Sequence, residues 1–305
     1  MLLEVILYST MKKNDYITLI RPKQWVKNLF VAAPLIFGMK LFEAQYVTKI
    51  AFGMVYFCII ASMIYVINDL CDIKTDQLHP KNKNRPLASG RVRPLAAYFL
   101  LLIMGLLAVT LAALTLASGY IAPTFYYIVA IYLLINLSYS TYLKHVPLLE
   151  MYLVASGYVL RVIAGCVLLA VEPSQWIIIV TGIISILITA GKRRSELMTC
   201  STETGLRKSI AGYNIAFIDS MISIFGTATI ITYMLYTISP AIMQIHHSNH
   251  LIYTSLFVTY GVTRYILLIK VKKDTHSPTD LVTSDPGIAL SVILWVCSLI
   301  YIFYF

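Results

Sequence analysis

Residues 48–76 read TKIAFGMVYFCIIASMIYVINDLCDIKTD. The stretch from Thr48 to Leu70 is apolar and matches the ~20 residues a helix needs to cross a bilayer. Its far end changes character. Asn68, Asp72 and Asp76 recur at intervals of four, which places them on one helical face with Asp69 beside it. Carboxylates crowded at the end of a membrane helix repel one another and call for a cation. Oxygen donors at this density suit Mg2+, which keeps waters and bridges to substrate phosphates. The competing reading is a solvated acidic helix end, and the basic residues that follow at once speak against it.

Outward from this stretch, similar runs recur: Trp25 to Phe37, Pro94 to Leu116, Thr124 to Tyr142, Leu148 to Leu169, Trp176 to Ala190, Ile210 to Ile238, Leu251 to Ile269 and Ile288 to Phe305. The pattern predicts an all-α polytopic membrane protein with nine transmembrane helices. The first and sixth runs are short, and Pro34 should kink or end the first, so eight spans plus a re-entrant piece is the alternative count. Composition agrees. The chain is 59% hydrophobic and 12% charged, with a mean hydropathy of +0.78, whereas soluble domains are about 25% charged.

The net charge is +10. Nucleic-acid binding would need a soluble basic face, and no such face is available here. The cations instead fall in alternate loops. Arg21, Lys23, Lys27, Lys74, Lys81, Lys83, Arg85, Arg91, Arg93, Lys144, Lys192, Arg193, Arg194, Arg207, Lys208, Lys270, Lys272 and Lys273 occupy one set, and the other holds little beyond Lys40, Glu43, Glu172 and histidines. Because basic loops stay cytoplasmic, the N-terminus is expected in the cytoplasm and, with nine spans, the C-terminus outside a plasma or inner membrane. One domain, 1–305, is expected, with 71–93 and 191–209 as cytoplasmic active-site loops.

Further residues carry chemical potential. Lys83 and Arg85, in the Pro- and Gly-marked segment His79 to Gly90, can bind phosphate oxygens. Arg161 lies inside an apolar run, where a charge needs a partner or a polar cavity. A phosphate fits, as does a structural pair, and Asp219 is one partner for it. Tyr139, Ser140, Tyr142 and Lys144 close another run; Lys144 can reach a phosphate, while the tyrosines read equally as interfacial anchors. Gly191-Lys192-Arg193-Arg194-Ser195-Glu196 places three adjacent cations at a span end, as an anion site or a topology signal. His246, His247 and His250 cluster in sequence on the expected external side.

The five cysteines are scattered, with no C-x-x-C pair, so neither a disulfide framework nor a zinc site is suggested. Met1 to Thr10 contains Glu4 and lacks a basic leader, and it does not read as a cleaved signal peptide. No G-x-S-x-G, H-E-x-x-H, Rossmann or Walker pattern supports a hydrolase, dehydrogenase or ATPase.

At the Asn68–Asp76 run the chain resembles the UbiA superfamily of intramembrane prenyltransferases, whose first Asp-rich motif is N-D-x-x-D-x-x-x-D. The resemblance covers about residues 20–305 and implies helices around a central cytoplasm-facing cavity. Where prenyl-diphosphate-using members carry a second Asp-rich motif, this chain has Gly191 to Glu196 with one carboxylate. It is more similar to the phosphoribosyltransferase branch, through Arg21-Pro22-Lys23-Gln24-Trp25-Val26-Lys27-Asn28, His79 to Gly90, Leu160 to Gly165, Gly191 to Glu196 and Ser277 to Pro286. That branch implies transfer of 5-phosphoribose from phosphoribosyl pyrophosphate (PRPP) to a polyprenyl phosphate, giving a precursor of cell-envelope arabinose. Mg2+ on the catalytic set Asp69, Asp72 and Asp76 is then expected to bind the diphosphate. Lys83, Arg85, Lys192 and Arg193 are expected around the donor, Lys23, Lys27, Lys144 or Arg161 around the lipid phosphate, and Asn68 and Tyr139 among the substrate-binding residues. The alternative is transfer of a polyprenyl group from its diphosphate to an aromatic acceptor. The resemblance also allows a homo-oligomer.

Overall fold

The computed structural model describes residues 13–78, 82–199, 212–271, 281 and 284–305. The architecture is all-α, and eight helices among the described residues, counting His250–Lys270 as one, are long and apolar enough to cross a membrane. The first helix, α1 (Lys13–Ile20), is short. A 3₁₀ run, Pro22–Val31, and a five-residue helix, α2 (Ala33–Phe37), follow it. Next come α3 (Ala44–Cys71), α4 (Ile73–Leu78), α5 (Pro94–Ala117), α6 (Pro123–Thr141), α7 (Leu149–Leu168) and α8 (Gln175–Thr199). The chain finishes with α9 (Ile215–Thr237), α10 (Pro240–His246), α11 (Ser255–Lys270) and α12 (Pro286–Tyr304).

Local chemistry sets the boundaries. Proline opens α5, α6 and α12, where its missing N–H costs nothing. The Asn214 side chain accepts from the Phe217 N–H at 2.7 Å, and Asp285 from Ile288 N–H at 2.9 Å, capping α9 and α12.

The run Trp25–Phe37 does not form a full-length helix. Pro22 and Pro34 bracket it, and Arg21 sits in the left-handed region at φ 54°. Long 3₁₀ runs are uncommon because their hydrogen bonds are poorly aligned, and side chains hold this one in place. Trp25 Nε1 donates to Ser62 Oγ at 3.0 Å, Asn28 Nδ2 donates to Cys58 Sγ at 3.2 Å, and the Val31 backbone lies against Gly165, where a Cβ would stand 2.1 Å from the Val31 carbonyl oxygen. These contacts run the segment antiparallel to α3. A 3₁₀ helix rises about 2 Å per residue, so ten residues reach as far as a longer α-helix.

Packing follows chain order. Helix α3 touches α5, α6 and α7; α7 packs on α8, α8 on α9, α9 on α11, and α11 on α12. At the end remote from the basic loops α12 returns to α2, with Phe37 against Trp295 and Phe303, and with Tyr304 Oη accepting from the Leu41 N–H at 2.8 Å. Helix α5 buries only Ala97 and Ala108 and presents Leu95, Phe99, Leu102, Ile103 and Leu106 outward, a surface that only lipid or another apolar face can cover. Helices α3, α6, α8 and α11 end, and α5, α7, α9 and α12 begin, at the same polar end of the bundle.

The segment expected as a loop from Gly191 continues α8 as helix through Thr199. The reason is local: Gly191 lets Tyr265 approach to where a Cβ would stand 2.2 Å from its hydroxyl, and the cations that follow find partners on neighbouring helices. Residues 200–209, the motif residues His79, Pro80 and Lys81, and Ser277 to Asp280 lie outside the described residues.

Candidate functional site: a polar end of the bundle

The Asn68–Asp76 stretch straddles the break between α3 and α4, with Asp72 at the junction. Asp69, Asp72 and Asp76 are all buried. Burying three anions without partners is prohibitive, and each meets a cation from another element. Arg21, at the start of the 3₁₀ run, pairs with Asp69. Arg85, from the loop before α5, donates through Nη1 to Asp69 Oδ1 at 3.2 Å and to Asp76 Oδ2 at 2.6 Å. Lys144, just after α6, pairs with Asp72 and is itself buried. Asn82 Nδ2 reaches Asp76 Oδ1 at 3.0 Å, and Asn68 Nδ2 reaches Asp72 Oδ2 at 3.2 Å. Asn68 Oδ1 is buried and has no hydrogen-bond partner among the described residues. Leu19, Val66, Leu87, Val92 and Ala97 form an apolar floor that binds α1, α3 and the 82–93 loop together. Burial pushes the Arg21 guanidinium below its ordinary value, and the Asp69 carboxylate opposes that shift.

The three carboxylates do not gather into one metal-ready group. Asp69 and Asp76 share Arg85 while Asp72 turns to Lys144, and among the described residues no cluster of three His, Cys, Asp or Glu is poised for a metal.

A second charged cluster lies at the end of α8. Arg193 Nε donates to Glu150 Oε1 at 2.7 Å and Nη2 pairs with Oε2 of the same residue; Nη1 reaches Glu196 at 2.5 Å and Nη2 the Tyr139 hydroxyl at 3.2 Å. Arg193 was expected to clamp phosphate, and the structure commits its guanidinium to this network. Arg194 Nε donates to Asp219 at 2.7 Å and its Nη1 to the Ile269 carbonyl at 2.7 Å. Asp219 therefore pairs with Arg194 and not with Arg161. Lys192 is exposed and lies 3.9 Å from Glu196.

Arg161 has neutral company. Its Nε donates to Asn28 Oδ1 at 2.8 Å, Nη1 to the Gly157 carbonyl at 2.8 Å and Nη2 to the Tyr132 hydroxyl at 2.6 Å. The Tyr132 ring centroid lies 4.7 Å from its Cζ, with Phe57 and Tyr158 each at 5.8 Å. No carboxylate among the described residues pairs with it. Of the other expected phosphate ligands, Lys23 and Lys83 are exposed and Lys27 half-buried, and none forms an ion pair with a described residue. His246 stacks on Phe303 at 3.9 Å.

Sequence reasoning passed over Arg21, Glu150, Asn28 and Tyr132 as members of these networks. Glu150 had a readable signal: a carboxylate two residues inside an apolar run demands a buried cation. The other three depend on a fold that brings residues far apart in sequence together.

Fold and site define a polytopic membrane protein with buried acid–base clusters at one end. A sequence profile of the UbiA prenyltransferase family matches residues 29–279, and the chain belongs to that family. Within it, the chain is similar to decaprenyl-phosphate phosphoribosyltransferase of Mycolicibacterium smegmatis, 36% identical over 231 residues, 74% of this chain and 71% of that one. It is also similar to the enzyme of the same name from Corynebacterium glutamicum, 29% identical over 297 residues, 95% of this chain and 87% of that one. Among solved structures, a UbiA homologue from Archaeoglobus fulgidus bound to DMAPP and Mg2+ superposes with a TM-score of 0.69 at 17% identity, over 94% of this chain and 99% of that one.

Proposed function

We propose that this protein transfers 5-phosphoribose from PRPP to a polyprenyl phosphate and releases pyrophosphate. The observation that carries the reading is the Asp69–Asp72–Asp76 cluster with its three cations, at the polar end of a membrane bundle whose relatives are named phosphoribosyltransferases. The donor chemistry suits Mg2+, since three buried carboxylates and the amide oxygen of Asn68 are hard oxygen ligands, but they would have to turn from their present cation partners to share one ion. When bound there, Mg2+ supplies charge to the leaving diphosphate.

The protein's own residues do the rest. Were Mg2+ to take up the carboxylates, Arg85 and Lys144 would be freed to meet phosphate oxygens without stranding a charge, while exposed Lys83 and Lys192 meet the donor's outer phosphates. Lys23 and Lys27 hold the lipid phosphate near the mouth, and buried Arg161 lends it an uncompensated positive field from below. An oxygen of the lipid phosphate attacks C1 of the ribose, the bond from C1 to the pyrophosphate oxygen breaks, and pyrophosphate leaves with the electron pair. The nucleophile is already anionic at neutral pH, so no strong base is needed. Direct attack inverts C1 from α to β.

The topology that goes with this reading counts the Pro22–Phe37 segment as a first, broken crossing, nine passes in all, with the polar end and the N-terminus cytoplasmic, the C-terminus external and the site opening to the cytoplasm. The aromatic prenyltransferase reading is less favoured, because guanidinium groups stand at the end of α8 where a second diphosphate-bound metal would need carboxylates.

The test uses purified protein in detergent with PRPP, Mg2+ and a polyprenyl phosphate, following pyrophosphate release and lipid mass. A lipid heavier by one phosphoribosyl unit, absent with Asp72→Asn, is the expected result. Turnover only with a prenyl diphosphate and an aromatic acid overturns it.

A further inference from the structure

Asp69 Oδ1 accepts from two guanidinium groups, those of Arg21 and Arg85. Arg85 also holds Asp76 and so would stay in place if it let go of Asp69. Arg21 makes no second ion pair among the described residues. Its side chain is 24% exposed, and its guanidinium lies 5.1 Å from the Tyr65 ring, a face on which it can rest when it leaves the carboxylate. The backbone beneath it is left-handed, φ 54° and ψ 61°, a conformation a non-glycine residue adopts only when its surroundings hold it.

Among the ion pairs of the described residues, the charges of the cluster balance: Asp69, Asp72 and Asp76 against Arg21, Arg85 and Lys144. A divalent cation entering this set brings two positive charges into a buried, neutral group, where like charges repel strongly. The cation held least firmly must give way. It then carries its charge to whatever anion arrives with the metal.

We infer that Arg21 is a displaceable counter-ion of Asp69, which keeps the divalent cation off this carboxylate until an anionic donor draws the guanidinium away. This builds on the proposed PRPP reaction. It makes metal and donor bind together, each poorly without the other, and it gives the residue that caps the 3₁₀ segment a place in donor binding.

The experiment titrates Mn2+ into the full-length protein in detergent, with free Mn2+ read by electron paramagnetic resonance, first without and then with PRPP. The proteins are the wild type, Arg21→Met and Arg21→Gln, each checked for size-exclusion profile and unfolding temperature. Without PRPP, removing the competing cation should tighten Mn2+ binding on the order of tenfold. With PRPP, the wild type should gain Mn2+ affinity and the variants should gain much less. Unchanged or weaker Mn2+ binding in the folded variants overturns the inference, whether or not the enzyme turns over PRPP. If PRPP leaves wild-type Mn2+ binding unaltered while the variants still bind Mn2+ more tightly, Arg21 guards Asp69 and the donor assignment is what fails.

Discussion

The ends of α3 and α8 carry charge in opposite arrangements. At the α3 end, three carboxylates belonging to one stretch are met by cations from elsewhere; at the α8 end, two adjacent guanidinium groups are met by carboxylates from α7, α8 and α9. Exposure separates them further. The side chains of Arg21 and Arg85 are 24% and 23% exposed, whereas those of Arg193 and Glu150 are 1% and 0% exposed; the contrast is between these residues and not whole clusters, since Lys144 with Asp72 is 4% and 8% exposed and Asp219 is 29% exposed. A partly wet pair can exchange partners at modest cost, while a dry pair cannot be opened without stranding a charge. Under the proposed function, the difference suits chemistry at Arg21 and Arg85 and scaffolding at Arg193 and Glu150.

The hardest test of that division is Arg193→Ala. It leaves Glu150 buried without its cation, a loss of about 3–5 kcal/mol, seen as a lower unfolding temperature and poor recovery of folded protein. Replacing both partners, Glu150→Leu with Arg193→Met, should recover most of the stability and leave turnover within a few-fold of wild type. Lost activity in a well-folded double variant would move Arg193 back among the phosphate ligands.

Next in size is Asp76→Asn. Arg85 keeps Asp69 as a partner, so the fold should survive, while turnover falls on the order of a hundred- to a thousandfold through lost electrostatic stabilisation. Pyrophosphate release and thermal unfolding, measured on the same sample, check both halves. A variant that melts without losing specific activity would make the α3 end a scaffold as well.

Gly165→Ala probes what supports the α3 end from behind. The new methyl would meet the Val31 carbonyl oxygen at 2.1 Å; backbone cannot move aside as a flexible side chain can, so the expected cost is about 1–3 kcal/mol. Because the displaced segment starts at Arg21, donor affinity should fall along with stability, which an Arg193 variant of equal instability would not reproduce.

Legibility in the sequence followed the same division. Asn68 to Asp76 stood out because acids at an apolar helix end are improbable without chemistry, and the spans from α3 onward followed from length and hydropathy alone. The first segment was harder. Its apolar content resembles that of a span, but proline placement and contacts to Ser62, Cys58 and Arg161, all far away in sequence, make it 3₁₀ and short helix. The second cluster was half read: three cations in a row were visible, but their partners Glu150 and Asp219 come from other helices, and nothing local to Gly191–Glu196 shows that the helix continues through them.

The smallest expected effect comes from a pair between the two extremes. Asp285 caps α12 and takes two hydrogen bonds from Arg264, at 3.2 and 2.9 Å, with the arginine side chain 27% exposed. Asp285→Ala should cost about 1 kcal/mol, the usual worth of a cap. The Arg264 hydrogen bond holds the Asp285 carboxyl below its ordinary value, so the folded state favours the ionised form. Its stabilisation is complete above the unfolded carboxyl's pKa and fades as pH falls through the lower, folded value. Unfolding temperatures of wild type and Asp285→Ala should therefore differ at neutral pH and converge in acid. A gap that persists in acid would mean that Asp285 is locked in the manner of Glu150, and exposure would then fail as the property that distinguishes exchangeable charge from scaffold.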